Sequence, residues 1–391
     1  MQHSMLDPST DYYGIFHHLD ETDLRAWERA RKVGQRYVER VNADWEAARV
    51  DREVVRELGA QDLYTDGLEI EGHEQLTPLA AGLVSMELSR ADGSLGTIHA
   101  IMGGLVLRSL LLYGSEEQQN RYVEGICRGE LLGGFGLTEP DHGSDSVSLE
   151  TSARVDGDEY VLNGQKRWIG FGANGDFTII WARLEDGSIG GFIVDQNTPG
   201  YRGEVIEGKA VLRAVHQALI TLENVRVPKS ARLPGVSSFK DIARILSATR
   251  SSVAWAALGH AIACYESALE HAKTRIQFGR PLVKNQLIQH RLSVMLQSIT
   301  SMVLHCKQLA VLDAQGCLEP EQASMAKGFC TSTAREVASD ARDMLGGSGI
   351  LLENHVVRHW GDLETLHTYE GTATIQELIV GRRITGVGAF V

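Results

Sequence analysis

The chain is short of several things, and each shortage argues against a class of function. Its five cysteines, Cys127, Cys264, Cys306, Cys317 and Cys330, are odd in number and show no CxxC spacing. They read as reduced thiols, which predicts a cytoplasmic protein and no disulfide framework. Basic residues are in deficit. The 38 lysines and arginines are outnumbered by 51 acidic residues, for a formal net charge of −13, whereas a nucleic-acid surface needs a basic face. Arg382-Arg383 is too short a run to supply one. No apolar run reaches ~18 residues, so no membrane span is expected. HExxH and Cys/His ligand spacings are missing, so the 14 histidines read as scattered polar or core residues and no metal site is expected. The first residues carry His3, Asp7 and Asp11 with no basic lead or apolar core, and the last are Gly388-Ala389-Phe390-Val391. Neither a secretory signal nor a peroxisomal Ser-Lys-Leu ending is expected from them.

What is present is length and a clear change of texture. With 391 residues, 43% of them hydrophobic, the chain can bury a core large enough for two or three domains. Trp27, Ala30, Gly34, Tyr37, Val38 and Val41 follow a helical stripe, and Gly59 closes a second short helix after Leu58. Leu76 to Leu112 is largely apolar or small, as in helices buried on more than one side. Gly114-Ser115-Glu116-Glu117 reads as a stop and a capped restart. At Leu131 the pattern shifts to strand-length runs, clearest at Glu159–Leu162, Phe177–Leu184, Ser188–Val194 and Ala218–Leu222. Asp156-Gly157 and Asp186-Gly187 sit between such runs as hairpin turns. From Phe239 the chain is helical again, with its longest helix expected over Lys284 to Ala314 on a stripe of Ile288, Leu292, Met295, Ile299, Val303 and Cys306. Pro320 opens the next helix, which ends at Gly346-Gly347. An α+β chain is expected: a helical domain over 1–130, a β domain over 131–237 and a helical bundle over 238–391.

The stretch from His367 to Gly386 is the candidate centre of the chemistry. It sets Glu370 in a Tyr-Glu-Gly-Thr turn just ahead of a helix. Thr374 and Glu377 fit a capping box, which predicts a helix starting at Ile375. Ile375, Leu378 and Ile379 then recur at helical spacing, so this helix should pack on a core. Gly371 lets backbone come close to whatever Glu370 faces. An acidic residue before a helix is also what the helix dipole favours, so the stretch alone leaves a purely structural role open.

Tyr369-Glu370-Gly371-Thr372 resembles the catalytic turn of the acyl-CoA dehydrogenase family of flavoproteins. Four further segments match that family in order. Phe135-Gly136-Leu137-Thr138-Glu139-Pro140 with Gly143-Ser144-Asp145 is similar to its first flavin loop, and Gln165-Lys166-Arg167-Trp168-Ile169-Gly170 to its second flavin strand. Arg275-Ile276-Gln277-Phe278-Gly279 with Gln286, and Asp343-Met344-Leu345-Gly346-Gly347-Ser348-Gly349, are similar to segments that reach a partner subunit's cofactor. As residues alone, these four also read as a Gly-rich lead into a β domain, a core tryptophan, a helix-end arginine and a glycine C-cap.

The resemblance implies the three-domain fold of that family, with a C-terminal four-helix bundle, FAD as cofactor, an acyl-CoA substrate, an electron-transfer flavoprotein as partner and a homotetramer. It implies Glu370 as the base. Phe135, Leu137, Thr138, Ser144, Trp168, Ile169, Gly170, Arg275, Phe278, Gln286, Asp343, Gly346, Gly347, Thr372 and Phe390 would contact cofactor, and Ser144, Arg250 and Gly371 substrate. Arginine suits the third segment because guanidinium pairs with pyrophosphate oxygens.

Departures from the family pattern narrow the substrate. Some members place the catalytic glutamate where Thr249 stands, which leaves Glu370 as the only matching base. Gly170 replaces a hydroxyl residue common in the family, which raises acyl-CoA oxidase activity as an alternative. The branch resembled most contains glutaryl-CoA dehydrogenases and short-chain oxidases. Glutaryl enzymes carry an arginine for the distal carboxylate where this chain has Gly96, with Ser89 and Ala100 in place of their glutamate and serine. A buried carboxylate left unpaired costs several kcal/mol in order of magnitude, so an uncharged acyl chain is expected and glutarate is disfavoured. A flavin-binding relative that associates with nucleic acid is disfavoured by the acidic charge and by Glu370.

Overall fold

The computed structural model describes residues 5–389, so Phe390 lies outside the described residues. The first helices are α1 (Glu21–Val38), α2 (Val41–Ala47), α3 (Arg52–Ala60), α4 (Pro78–Ala91) and α5 (Gly93–His99), followed by a π-helical segment (Ala100–Leu107), α6 (Arg108–Tyr113) and α7 (Glu116–Cys127). Their starts are set by side-chain caps. Asp51, Thr77 and Asp92 accept amide hydrogens at the starts of α3, α4 and α5. Ser115 and Gln118 form a capping box on α7, where the restart was expected. The stripe on α1 buries Trp27, Ala30, Gly34 and Tyr37.

One expectation fails in this region. Gly93–Tyr113 is long and apolar enough by composition to cross a membrane, with a mean hydropathy of 1.6. Interspersed Gly, Ser and Thr hid it as a run. It is 72% buried within the fold, as a core helix is.

The middle of the chain is a seven-stranded sheet of β1 (Gly133–Gly136), β2 (Ser152–Asp156), β3 (Glu159–Gly170), β4 (Phe177–Leu184), β5 (Ile189–Asp195), β6 (Tyr201–Val205) and β7 (Gln217–Pro228). Its order is β1-β4-β2-β3-β7-β6, with β5 also on β4. Gly157 and Gly187 take positive φ of 63° and 83° in the β2–β3 and β4–β5 turns, as the Asp-Gly pairs predict. β1 and β6 were not expected. β1 is glycine-rich because it threads between close neighbours: a Cβ on Gly133 would lie 2.6 Å from Val106.

The last part comprises α8 (Phe239–Thr274), a hairpin of β8 (Ile276–Gln277) and β9 (Arg280–Pro281), α9 (Gln286–Ala314), α10 (Pro320–Met344), α11 (Val356–Thr368) and α12 (Ala373–Thr385). α8, α9, α10 and α11 pack into a four-helix bundle, and α12 lies on α10. The longest helix is α8, at 36 residues, and not the α9 segment. Every residue from Val253 to Ile262 is buried, so α8 shows no one-sided stripe to count by. α12 also differs from expectation. It starts at Ala373 with Thr372 as N-cap accepting from the Ile375 amide, while Thr374 and Glu377 are exposed. It buries only Ala373 and Gln376, and leaves Leu378 37% exposed.

Candidate active site

α11 ends at Thr368, and the chain reverses into α12 through Glu370 at φ 57° and Gly371 at φ 84°. The left-handed region suits glycine, but a glutamate stays there only when its surroundings over-determine it. They do so here through the backbone. The Gln376 amide donates to the carbonyls of Glu370 and Gly371, each at 3.0 Å. Lys327 of α10 donates to the Gly371 carbonyl at 2.7 Å. A Cβ on Gly371 would lie 2.5 Å from the Gln376 Nε2, so a side chain there would push that amide out of place.

The turn directs the Glu370 carboxylate at α8, where Oε2 accepts from the Thr249 hydroxyl at 2.8 Å. Burial lifts the Glu370 carboxyl above its ordinary range; the Thr249 hydrogen bond and then the charges of Arg250 and Lys327 oppose that rise. The result is a carboxylate that binds a proton more readily than an exposed one. Arg250 itself donates to Ser324 Oγ at 3.3 Å.

Thr249 also marks how the site joins the sheet. A Cβ on Gly104 would lie 3.2 Å from the Thr249 methyl, and a Cβ on Gly170 would lie 2.3 Å from Ile101 Cδ1. Ile101 and Gly104 are three residues apart on the π-helical segment, a geometry found often at functional sites. That segment therefore stands between the Glu370 turn and the end of β3. It also explains the departure at Gly170, since Ile101 fills the space that a serine or threonine side chain would need.

Trp168 sits at an irregularity in the β3–β7 register, with φ 67°. Such a bulge re-aims a side chain. Its indole is 52% exposed, with the Arg167 guanidinium 5.0 Å from the ring centroid, so it is no core tryptophan. Phe135, Leu137 and Ile169 are buried, Thr138 is half-buried and Ser144 is exposed. The loop from Phe135 to Asp145 is tied to β3 by Lys166, which is fully buried and donates to Glu139 at 2.8 Å and to the Leu137 carbonyl at 3.1 Å. Glu139 also accepts from the amides of Glu150 and Thr151 at 2.6 and 2.8 Å. Burial alone would raise the Glu139 carboxyl, but Lys166 and these amides outweigh it and hold it below its ordinary range. Burial pulls the Lys166 ammonium down to about 8 against the pull of Glu139, so both partners are charged at neutral pH.

Not every expected residue gathers here. Arg275, Phe278, Gln286, Asp343, Gly346 and Gly347 are exposed on the hairpin, the start of α9 and the end of α10. None of the six bonds to the Glu370 turn among the described residues, and Asp343 pairs instead with Arg291. Lys327, Gln376, Lys166, Glu139 and Ile101 were missed as contributors. Lys327 carried a signal. It follows Ala323, Ser324 and Ala326, small residues that are all buried, on a face where a lysine is out of place.

Family profiles match most of the chain: the acyl-CoA dehydrogenase N-terminal domain over residues 20–130, the middle domain over 134–225 and the C-terminal domain over 239–385. The chain is 33% identical over 347 residues to the mitochondrial short-chain specific acyl-CoA dehydrogenase of Homo sapiens, covering 85% of this chain and 84% of that one. Among solved structures it is similar to a glutaryl-CoA dehydrogenase from Mycobacterium smegmatis in complex with FADH2. The TM-score is 0.96 and the identity 32%, over 99% of this chain and 100% of that one. It is also similar to a structure of the electron transferring flavoprotein of Acidaminococcus fermentans, with a TM-score of 0.90 and 29% identity over 94% of this chain and 99% of that one. The three profile matches in their order and the identity to the relatives thus give the same answer: the chain belongs to the acyl-CoA dehydrogenase family and is an oxidoreductase.

Proposed function

We propose that the protein oxidises an uncharged acyl-CoA thioester to the trans-2-enoyl-CoA, with FAD as cofactor and an electron-transfer flavoprotein as acceptor. The observation that carries this reading is the Glu370 turn. A glutamate is held in a left-handed conformation and hydrogen-bonded to Thr249, and its environment raises its proton affinity. The α proton of a thioester is weakly acidic, so a base must be both ionisable and fixed in place. Glu370 takes that proton through Oε1, which has no partner among the described residues, while Thr249 holds Oε2. Closing the site over a substrate would expel water and strengthen the base further.

The residues present fit FAD. Trp168 offers a flat exposed ring, and the hydroxyls of Thr138 and Ser144 have no partner among the described residues. The backbone at Gly143, Gly346 and Gly347 stands open, with no atom within 4 Å of where a Cβ would lie. Bound FAD supplies the acceptor for the hydride that leaves Cβ. Phe135, Leu137 and Ile169 would shape its pocket, and Thr372 would meet it from the start of α12. Arg275, Phe278, Gln286, Asp343, Gly346 and Gly347 would serve the cofactor of a neighbouring copy. Their separation from the Glu370 turn supports that reading, as does the exposure of apolar groups on the same elements, with Phe278 97% and Leu287 73% exposed. A homotetramer fits both observations.

The substrate reading rests on Gly96. A Cβ there would lie 2.1 Å from Ser89 Oγ, so the position has no room for a cationic side chain to meet a distal carboxylate. Arg250 and Gly371 would border the substrate instead. Gly170 keeps an oxygen-using oxidase as the second reading. One experiment separates these readings. The purified flavoprotein is mixed anaerobically with saturated acyl-CoAs, including butyryl-CoA and glutaryl-CoA, and flavin bleaching is followed before and after air is admitted. Bleaching by butyryl-CoA that persists in air supports the proposal. Rapid return of colour with peroxide favours the oxidase, and bleaching by glutaryl-CoA alone refutes the uncharged substrate. Glu370→Gln should keep FAD bound and lose turnover by ~10²–10⁴-fold; undiminished turnover would sink Glu370 as the base.

A further inference from the structure

Lys327 is fully buried in the C-terminal bundle, a costly place for an ammonium unless it is paired. No carboxylate lies within ion-pair distance of it among the described residues, and its hydrogen bonds go to backbone: the Gly371 carbonyl at 2.7 Å and the His367 carbonyl at 3.5 Å. Both acceptors belong to the last turn of α11 and the reversal that follows, where the negative end of a helix favours a cation. Packing gives no reason for a lysine. The neighbouring α10 positions Ala323, Ala326 and Cys330 are apolar and buried, and a methionine would fill the same volume.

We propose that Lys327 is the positioning residue of the base: by holding the Gly371 carbonyl it fixes Glu370 in the conformation that reaches Thr249, and its charge favours the ionised carboxylate. This rests on reading Glu370 as the base. Several other groups face Glu370 or its near neighbours. From α8 come Thr249 and Arg250, from α10 Glu321 beside Arg250 and Arg335 beside His367, from α11 His367 and Glu364, from the turn after it Tyr369, and from α12 Glu377 beside His367. Arg250 is the other cation, but its buried Nε has no partner and it does not bond to the turn. Lys327 alone combines charge with a grip on the backbone of the turn.

Burial brings the Lys327 ammonium down to about 8, with Glu370 opposing the fall and Arg250 adding to it. The activity of the native enzyme should then rise with pH as Glu370 ionises, and do so at lower pH than it would without the Lys327 charge. The test measures the anaerobic flavin-bleaching rate with a saturated acyl-CoA across pH for the native holoenzyme, K327M, K327Q and E370Q, with FAD content and thermal midpoint as folding controls. K327Q keeps a donor for the Gly371 carbonyl and removes the charge. It should lose about tenfold on the acid side and recover toward high pH, where Glu370 ionises without the help of a cation. K327M should lose the charge effect and the maximal rate together. Profiles with the native midpoint in both variants, whatever their height, would overturn the proposal; if K327M does not fold, K327Q decides alone. Native-level bleaching by E370Q would overturn the base itself, whereas an inactive E370Q beside an unshifted K327Q would leave the base standing and remove Lys327 from its support.

Discussion

Lys166→Met should expose how firmly the flavin-side loop is built. Lys166 is 0% exposed and its partner Glu139 5%, so the substitution strands a carboxylate in the interior. Removing one partner of a buried ion pair costs ~3–5 kcal/mol. Glu139 keeps the amides of Glu150 and Thr151 as donors, which places the expected loss toward the lower end of that range. Lys166→Met with Glu139→Gln removes both charges and should recover at least ~1 kcal/mol of it, because no bare charge is left behind. The assay is urea unfolding of the FAD-bound protein at constant m-value, with flavin content measured alongside. pH supplies an internal check. In the native protein the Glu139 carboxyl lies below its ordinary value, so the stability it contributes is present above the unfolded-state pKa and is lost as pH falls through the folded one. In the variant, burial without Lys166 favours the protonated acid, so the penalty should shrink as pH falls from 7 toward 4. A loss below about 1 kcal/mol at pH 7, or a penalty that does not shrink in acid, would refute the view that this pair anchors the loop.

Gly170→Ser should destabilise by about 1–3 kcal/mol, because its Cβ meets Ile101 at 2.3 Å. Adding Ile101→Ala should restore most of the thermal midpoint, and no rescue would mean that Ile101 is not the obstacle. Gly371→Ala combines a φ of 84° with a Cβ 2.5 Å from the Gln376 amide. It should cost on the order of 1–3 kcal/mol and at least about tenfold in bleaching rate; a native rate would show that the turn tolerates movement.

The parts of the site that were legible in the sequence are the local ones. Glu370, Gly371 and the glycine-rich loop carry their information in four to eight neighbouring residues, and the Ser115 restart and the Asp-Gly hairpins are likewise settled within a few positions. β1 and β6 escaped because strands of four and five residues take their register from distant partners, Phe177–Ile180 and Ala218–Leu222. The start of α12 shows a local rule losing to a tertiary one. Thr374 and Glu377 make the better capping box by residue type, yet Gln376 must already be helical to reach the carbonyls of Glu370 and Gly371, and only Thr372 starts the helix early enough. The buried lysines failed for a related reason. Lys327 bonds only to carbonyls among the described residues, those of Gly371 and His367, and Lys166 adds the Leu137 carbonyl to its Glu139 partner; a carbonyl acceptor leaves no mark in side-chain identity. A lysine paired with a carboxylate can be sought by looking for the acid; one that grips backbone can be found only once the backbone is in place. Positioning devices of this kind are therefore where sequence reading is weakest, and here they surround the one residue that it identified most readily.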